Sequence, residues 1–225
     1  FGPVPFLVAG IIFRLIYDRI RSEKREKEAQ AEKLSAELKF LRSQISPHFI
    51  FNVMTNLVSL ARIKSDLLEP SLIRLSELLR YMLYETGKDK FPIDAEIDYL
   101  ENYISLQQLR FGDDVRVETT WDVDEQNCFI EPMLLVPFVE NAFKHGIGMV
   151  KDPYIKMQLL VKNGQLHFQI SNNYDKQNNS KDASSGIGLE NIRKRLNLLY
   201  TGKYQLTITD SHGIYHVELK LELSC

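Results

Sequence analysis

The period of the hydrophobic pattern changes near Val115, and that change divides the chain. Before it, apolar residues recur every three or four positions, the spacing of one helix face. After it they alternate: Val115, Val117, Thr119 and Trp121, then Ile155, Met157, Leu159 and Val161, then Leu166, Phe168 and Ile170. Alternation places successive side chains on opposite faces of a strand. Asn163-Gly164 between the second and third runs is a favoured hairpin turn. Tyr204 to Ile208 and Tyr215 to Leu223 predict a last hairpin. Two helical stretches interrupt the strands. One runs from Pro132 to about His145. The other runs from Gly186 to Tyr200, with Leu189, Ile192, Leu196 and Leu199 on one face and Gly202 as a stop. Helices mixed with hairpin strands predict an α+β fold, a mixed sheet with helices on one face. No internal repeat is visible.

The first half reads as helices throughout. Phe1 to Tyr17 is apolar except for Arg14, and Arg19, Arg21, Lys24 and Arg25 follow. A run just short of the ~20 residues of a full span, with a basic flank, predicts the end of a transmembrane helix leaving on the cytoplasmic side. A buried or partner-binding helix with a basic flank is the alternative. The chain opens on Phe1, so a segment upstream is expected. Ala31, Leu34, Leu38, Leu41 and Ile45 then form a heptad seam, which predicts pairing with a second copy. The same register would put His48 on the seam. Pro47 gives a cause for a change of register there, because it removes a backbone donor and bends a helix.

Past the proline, Ile50, Met54, Leu57 and Ala61 predict a new apolar stripe. Pro70 can open a second helix at its first position, with Leu68, Leu72, Leu75, Leu79 and Met82 on one face and Gly87 as its end. These two helices predict a hairpin, and two hairpins a four-helix bundle. A third helix is expected from an Asp94 N-cap to Phe111. The expected divisions are therefore 1–17, the end of a membrane helix; 18–90, a coiled signalling helix and dimerisation hairpin; and 91–225, a connecting helix and α+β domain. The net charge of -2 leaves no basic excess for phosphate contacts with nucleic acid. Cys128 and Cys225 stand alone, so no disulfide framework or zinc pattern follows and a reducing compartment fits.

Three stretches could carry chemistry. Gln44 to Asn52 places His48 just after a proline, and a neutral imidazole is an available nucleophile near pH 7. A packed or surface histidine is the ordinary alternative for that stretch alone. In Pro137 to Gly146, Asn141 precedes Lys144 and His145 by three and four residues, which share a helix face. An asparagine oxygen can ligate Mg²⁺, which leaves most of its positions to phosphates and water, and a lysine one turn on can meet phosphate charge. In Gly186 to Leu196, glycines at a loop-to-helix junction let backbone approach phosphates. The polar run Ser171 to Ser185 before them predicts a lid-like loop.

These motifs, in this order, resemble the LytS-type sensor histidine kinases. Gln44 to Asn52 resembles the phosphoacceptor box, and Pro137 to Gly146 the N box. Gly186 to Leu196 resembles the second glycine box, and Asn102 to Phe111, with Tyr103 and Arg110, the connecting segment. The likeness covers about residues 30 to 223. It implies a Bergerat-type ATPase domain after the helical hairpin. It also implies a homodimer anchored in the cell inner membrane, with this segment on the cytoplasmic side. The enzyme would be a protein histidine kinase that phosphorylates itself from ATP with Mg²⁺. It would pass the phosphoryl group to an aspartate of a response regulator, often of the LytTR type.

Carried over, His48 would be the phosphoacceptor and Asn141 the Mg²⁺ ligand. Lys144 and His145 would touch phosphates, with Gly186, Gly188 and Leu189 at the lid's end. The family's Asp-Asn-Gly-x-Gly box is replaced by Ser171-Asn172-Asn173-Tyr174. Asn172 would then accept the adenine amino group, without the charge that strengthens such a bond. Phe49 stands where many histidine kinases carry an acid, so help for His48 must come from elsewhere. Asn52, on the face of His48, is expected to orient a water for dephosphorylating the regulator. Pro137 stands where related ATPases carry a water-activating glutamate, which favours transfer to histidine over hydrolysis. The competing readings are a non-catalytic pseudokinase that binds partners through an altered pocket, and a chaperone-like ATPase.

Overall fold

The computed structural model describes residues 14, 16–29, 47–82, 90–124, 127–147, 150, 152–174 and 185–225. The chain divides into two compact units, Phe1–Gln44 and Ile45–Cys225. In the first, residues 16–29 are helical and exposed. Arg14–Asp18, Arg19–Glu23 and Lys24–Glu28 are paired four residues apart at 4.0, 3.5 and 3.8 Å. Such exposed pairs add a few tenths of a kcal/mol each. Most of the expected membrane segment, 1–17, and the whole seam from Ala31 to Ile45 lie outside the described residues. Among the described residues, no helix is long and apolar enough to cross a membrane.

The second unit begins with a helical hairpin, α1 (Pro47–Arg62) and α2 (Leu68–Arg80), packed against the long α3 (Ile93–Phe111). Phe49, Val53 and Leu57 of α1 and Leu75 and Leu78 of α2 are buried. The expected α1 stripe is therefore turned. Leu57 is inside, but Met54 and Ala61 are exposed. The reason is that α1 is apolar on two sides, and only one of them meets α3. Leu72 of the expected α2 stripe is likewise exposed. α2 also starts earlier than expected, at Leu68. Pro70 is its third residue, still within the first turn, where the missing N–H has no intrahelical partner to lose. The expected stop at Gly87 lies outside the described residues. α3 has Pro92 rather than Asp94 at its N-cap. Asp94 sits inside the first turn, where its charge suits the helix dipole.

The remaining strands are β1 (Phe91–Pro92), β2 (Arg116–Val123), β3 (Phe129–Ile130), β4 (Tyr154–Lys162), β5 (Gln165–Asn173), β6 (Tyr204–Ser211) and β7 (Ile214–Glu222). β1 and β3 form a short antiparallel pair. The main sheet has the order β2-β4-β5-β7-β6, with β2 parallel to β4 and every other pair antiparallel. Asn163 and Gly164 both have positive φ, 50° and 68°, as the expected turn between β4 and β5 requires. The inward set, including Met157, Leu159, Phe168, Ile170 and Leu219, is fully buried. Each such side chain contributes about 1.5–3 kcal/mol.

Helices α4 (Val136–His145) and α5 (Ser185–Leu199) cover that inner face. Phe138 of α4 lies 6.0 Å from the ring of Phe168. The architecture is α+β with helices on one face of a mixed sheet, as the sequence predicts.

Two expectations are corrected here. α4 starts at Val136, not Pro132. Met133 has φ 57°, and the N–H groups of Met133 and Leu135 donate to the Glu96 carboxylate at 2.8 and 3.0 Å instead of entering a helix. Cys128 and Cys225, expected to stay apart, are joined in a disulfide across 97 positions. The chain after β7 returns beside β3, where the Phe129 N–H donates to the Ser224 carbonyl at 2.8 Å. Sequence spacing carries no trace of that return.

Candidate functional site

Helix α4 sorts its residues by what the core demands. Phe138, Val139, Ala142 and Phe143 are buried. Asn141 and His145 are half-buried and Lys144 is exposed. The polar residues therefore fall on two flanks. On one, Asn141 faces the start of α5. A Cβ placed on Gly188 would meet Asn141 Oδ1 at 3.8 Å and Nδ2 at 3.9 Å. The two motifs are thus in register, with backbone rather than side chain opposite the asparagine. Leu189 is half-buried against the core.

The end of α4 is fitted closely to β5. A Cβ on Gly146 would lie 2.6 Å from the Ala142 carbonyl oxygen and 3.0 Å from Asn172 Cβ and Nδ2. Only glycine leaves room there. Asn172 is buried, and its amide nitrogen donates to the Asn173 carbonyl at 3.0 Å. The carbonyl oxygen of its side chain is the end that can accept a ligand's N–H. The loop expected from Ser171 to Ser185 is shorter: Ser171 to Asn173 complete β5 and Ser185 opens α5, and residues 175–184 lie outside the described residues. Gly186 lies in the first turn of α5.

On the other flank of α4 is a cavity of about 450 Å³. Glu140 and Lys144 line it from α4, Phe49 and Asn52 from α1, and Tyr103 and Arg110 from α3. Phe49 holds α1 in place by stacking on Tyr103, with ring centroids 4.5 Å apart. The Tyr103 hydroxyl accepts from Gln107 Nε2 at 2.8 Å. Burial pushes the Glu140 carboxyl above the usual carboxylate range, while Lys144, one turn on, pulls it back. Burial also raises Tyr103, and the Glu140 charge adds to that. The structure thus brings Asn52 and Lys144 to one cavity. His48 is one turn before Asn52 on α1, and its side chain lies outside the described residues.

Sequence reasoning missed the parts that hold this arrangement. Glu96 of α3 is fully buried and accepts the Met133 and Leu135 N–H groups and the Tyr81 hydroxyl, the last at 2.8 Å. Arg195 of α5 is also buried. It donates to the Pro132 and Met133 carbonyls at 2.8 Å each and lies 4.0 Å from Glu131. Together they tie the hairpin's end and the second glycine motif to the turn that aims α4. The signal available was a glutamate at an inward position of α3 and an arginine three residues after the buried Ile192.

The histidine kinase family model matches residues 36–115. The chain is 38% identical over 117 residues to sensor histidine kinase YpdA of Escherichia coli, covering 52% of this chain and 20% of that protein. It is 28% identical over 215 residues to sensor protein LytS of Enterococcus faecalis, covering 88% and 36%. It is 28% identical over 213 residues to sensor protein kinase HptS of Staphylococcus aureus, covering 89% and 39%. The chain therefore spans between a fifth and two-fifths of the length of these relatives. In fold, it is similar to a structure described as a bacterial phosphotransferase, with TM-score 0.50 and 11% identity over 84% of this chain and 96% of that one.

Proposed function

We propose that this chain, which is similar to the LytS-type sensor histidine kinases, phosphorylates its own His48 from ATP and passes the phosphoryl group to an aspartate of a response regulator. The observation that carries this is the shared cavity. Asn52, one turn after His48, lines the same space as Lys144 of the N-box helix. Phosphoryl transfer needs alignment and charge neutralisation more than covalent help.

The residues fit a nucleotide. Gly188 leaves backbone beside Asn141, and Asn172 sits buried at the end of the same helix. Asn172 would accept the adenine amino group. Gly186, Gly188 and Leu189 would form the backbone edge along the phosphates, and His145 would add a contact to them. Asn141 is the residue suited to Mg²⁺, which when bound would neutralise phosphate charge. Lys144 would place its ammonium against the transferred group. Asn52, on the acceptor's side of the cavity, would orient a water when the regulator's phosphoaspartate is hydrolysed.

The finer context follows the relatives. The hairpin's exposed apolar face supports a homodimer. The partner would be a receiver domain, of the LytTR type among the possibilities the family offers. The N-terminal segment would anchor the protein in the inner membrane, with the described residues on the cytoplasmic side.

The test is incubation with γ-labelled ATP and Mg²⁺. Label that is acid-labile, base-stable and lost in His48→Ala is the expected result. Free phosphate without protein label would instead indicate an ATPase. Neither product would indicate a pseudokinase, the outcome that the amide at position 172 would explain.

A further inference from the structure

We infer that the hydrogen bond from Tyr81 to Glu96 couples the end of the hairpin to the nucleotide pocket, the two side chains acting as positioning residues on the turn that launches α4. The inference rests on the reading of α4 and α5 as a nucleotide site. It adds a physical route by which that site and the hairpin sense each other.

The turn is held in a conformation that its own residues do not favour. Met133 has φ 57°, in the left-handed region that a residue with a side chain keeps only where its surroundings impose it. Two buried charged groups impose it, one at each side of the residue. The Met133 N–H donates to Glu96 Oε2 of α3 at 2.8 Å, and the Met133 carbonyl accepts from Arg195 Nη1 of α5 at 2.8 Å. Two residues on, Leu135 is the N-cap of α4 and brings no side-chain cap. Its N–H donates to Glu96 Oε1 at 3.0 Å, and its carbonyl accepts the Phe138 N–H at 3.1 Å. Glu96 thus stands at the N-terminus of α4, where an acidic group suits the helix dipole. The helix that carries Asn141 and Lys144 starts from a point set by that carboxyl group.

Tyr81 is the hairpin's arm of the arrangement. It is the C-cap of α2, and its hydroxyl donates to Glu96 Oε2 at 2.8 Å, the same oxygen that holds Met133. Its ring packs 4.7 Å from Tyr99 and 5.4 Å from Phe91, so the hydroxyl is aimed rather than free to turn. A shift at the end of α2 therefore pulls on the oxygen that fixes the strained residue. The second glycine motif meets the same turn through Arg195, which also donates to the Pro132 carbonyl at 2.8 Å. A nucleotide lodged between Asn141 and Gly188 would bridge α4 and α5, both tied to this turn. By linkage, what the nucleotide does to the hairpin's end, the hairpin's end does to nucleotide affinity.

The experiment follows amide exchange in the full chain, with and without saturating Mg²⁺ and a non-hydrolysable ATP analogue, and separately measures affinity for the analogue. In the wild type the analogue should slow exchange over residues 75–81 by about fivefold or more, the lower end of ordinary coupling between sites. Tyr81→Phe keeps the packed ring and loses the hydroxyl. It should bind the analogue as the wild type does, and the slowing over residues 75–81 should vanish. A merely structural role would speed exchange in both states and leave their ratio intact. Tyr200→Phe removes the hydroxyl that accepts the Glu131 N–H at 2.9 Å, beside the same turn but apart from α2, and should keep the wild-type ratio. Analogue binding without any change in residues 75–81 of the wild type overturns the inference. So does a wild-type ratio in Tyr81→Phe, loss of analogue binding in that variant, or a ratio lost equally in Tyr200→Phe. A wild type that does not bind the analogue removes the nucleotide reading itself, and the inference with it.

Discussion

Glu96 joins the hairpin to the segment that launches α4. Its carboxylate accepts Tyr81 from the end of α2 and two backbone amides from the turn at Met133–Leu135. Burial pushes its proton affinity up, and the Leu135, Tyr81 and Met133 hydrogen bonds and the charge of Arg195 oppose that rise. Glu96→Leu would strand three buried donors, each costing about 1–3 kcal/mol. The sign of the pH effect follows from the raised value. Below the ordinary carboxylate range, both folded and unfolded chains carry the proton. As pH rises the unfolded chain ionises first, so this residue's contribution to stability falls until the folded carboxyl ionises too. Urea midpoints of the wild type and Glu96→Gln, compared from about pH 4 to pH 7, should therefore show the wild type's advantage shrinking as pH increases. A constant difference would mean that Glu96 titrates alike in both states.

Helix α4 is held at both ends by groups outside it. Arg195 and Glu96 fix its start, and Gly146 fixes its end against Asn172. Gly146→Ala would force a methyl group against the Ala142 carbonyl and Asn172. The expected cost is about 1–3 kcal/mol in thermal or chemical denaturation, with weaker nucleotide binding because Asn172 is displaced. Gly188→Ala, whose methyl group would meet Asn141 only at ordinary contact distance, is the milder comparison. The strands were readable because each buries one face, which leaves a period of two in Met157, Leu159 and Val161. The turn at Asn163-Gly164 was readable from its dipeptide. The start of α4 was not, because the helical pattern continues through Met133 and Leu134, and a carboxylate 37 residues away takes the amides. The stripes of α1 and α2 were misplaced for a related reason. Each helix is apolar on two sides, and sequence alone does not say which side meets its own chain. The N-box and glycine motifs were legible as separate pieces. Their juxtaposition at Gly188 and Asn141, and Glu140 as the carboxylate of the α1 cavity, needed the fold.

Across the whole unit, the second apolar side of the hairpin is left facing solvent. Phe51 is 71% exposed, Met54 49%, Val58 50% and Ile73 53%, all on α1 and α2. Exposed apolar side chains of this kind, on helices already packed on one side, suit a second copy of the same hairpin. Val58→Glu combined with Met54→Lys should convert the proposed dimer to monomer in sedimentation, with nucleotide affinity retained. A monomeric wild type would refute the dimer. The disulfide between Cys128 and Cys225 has a different consequence. The Pro137–Gly146 and Gly186–Leu196 motifs and all strands from β4 to β7 lie between those two positions, so they belong to one covalent ring. A backbone cleaved once anywhere within it would stay a single molecule, its two pieces tethered until the sulfurs are reduced.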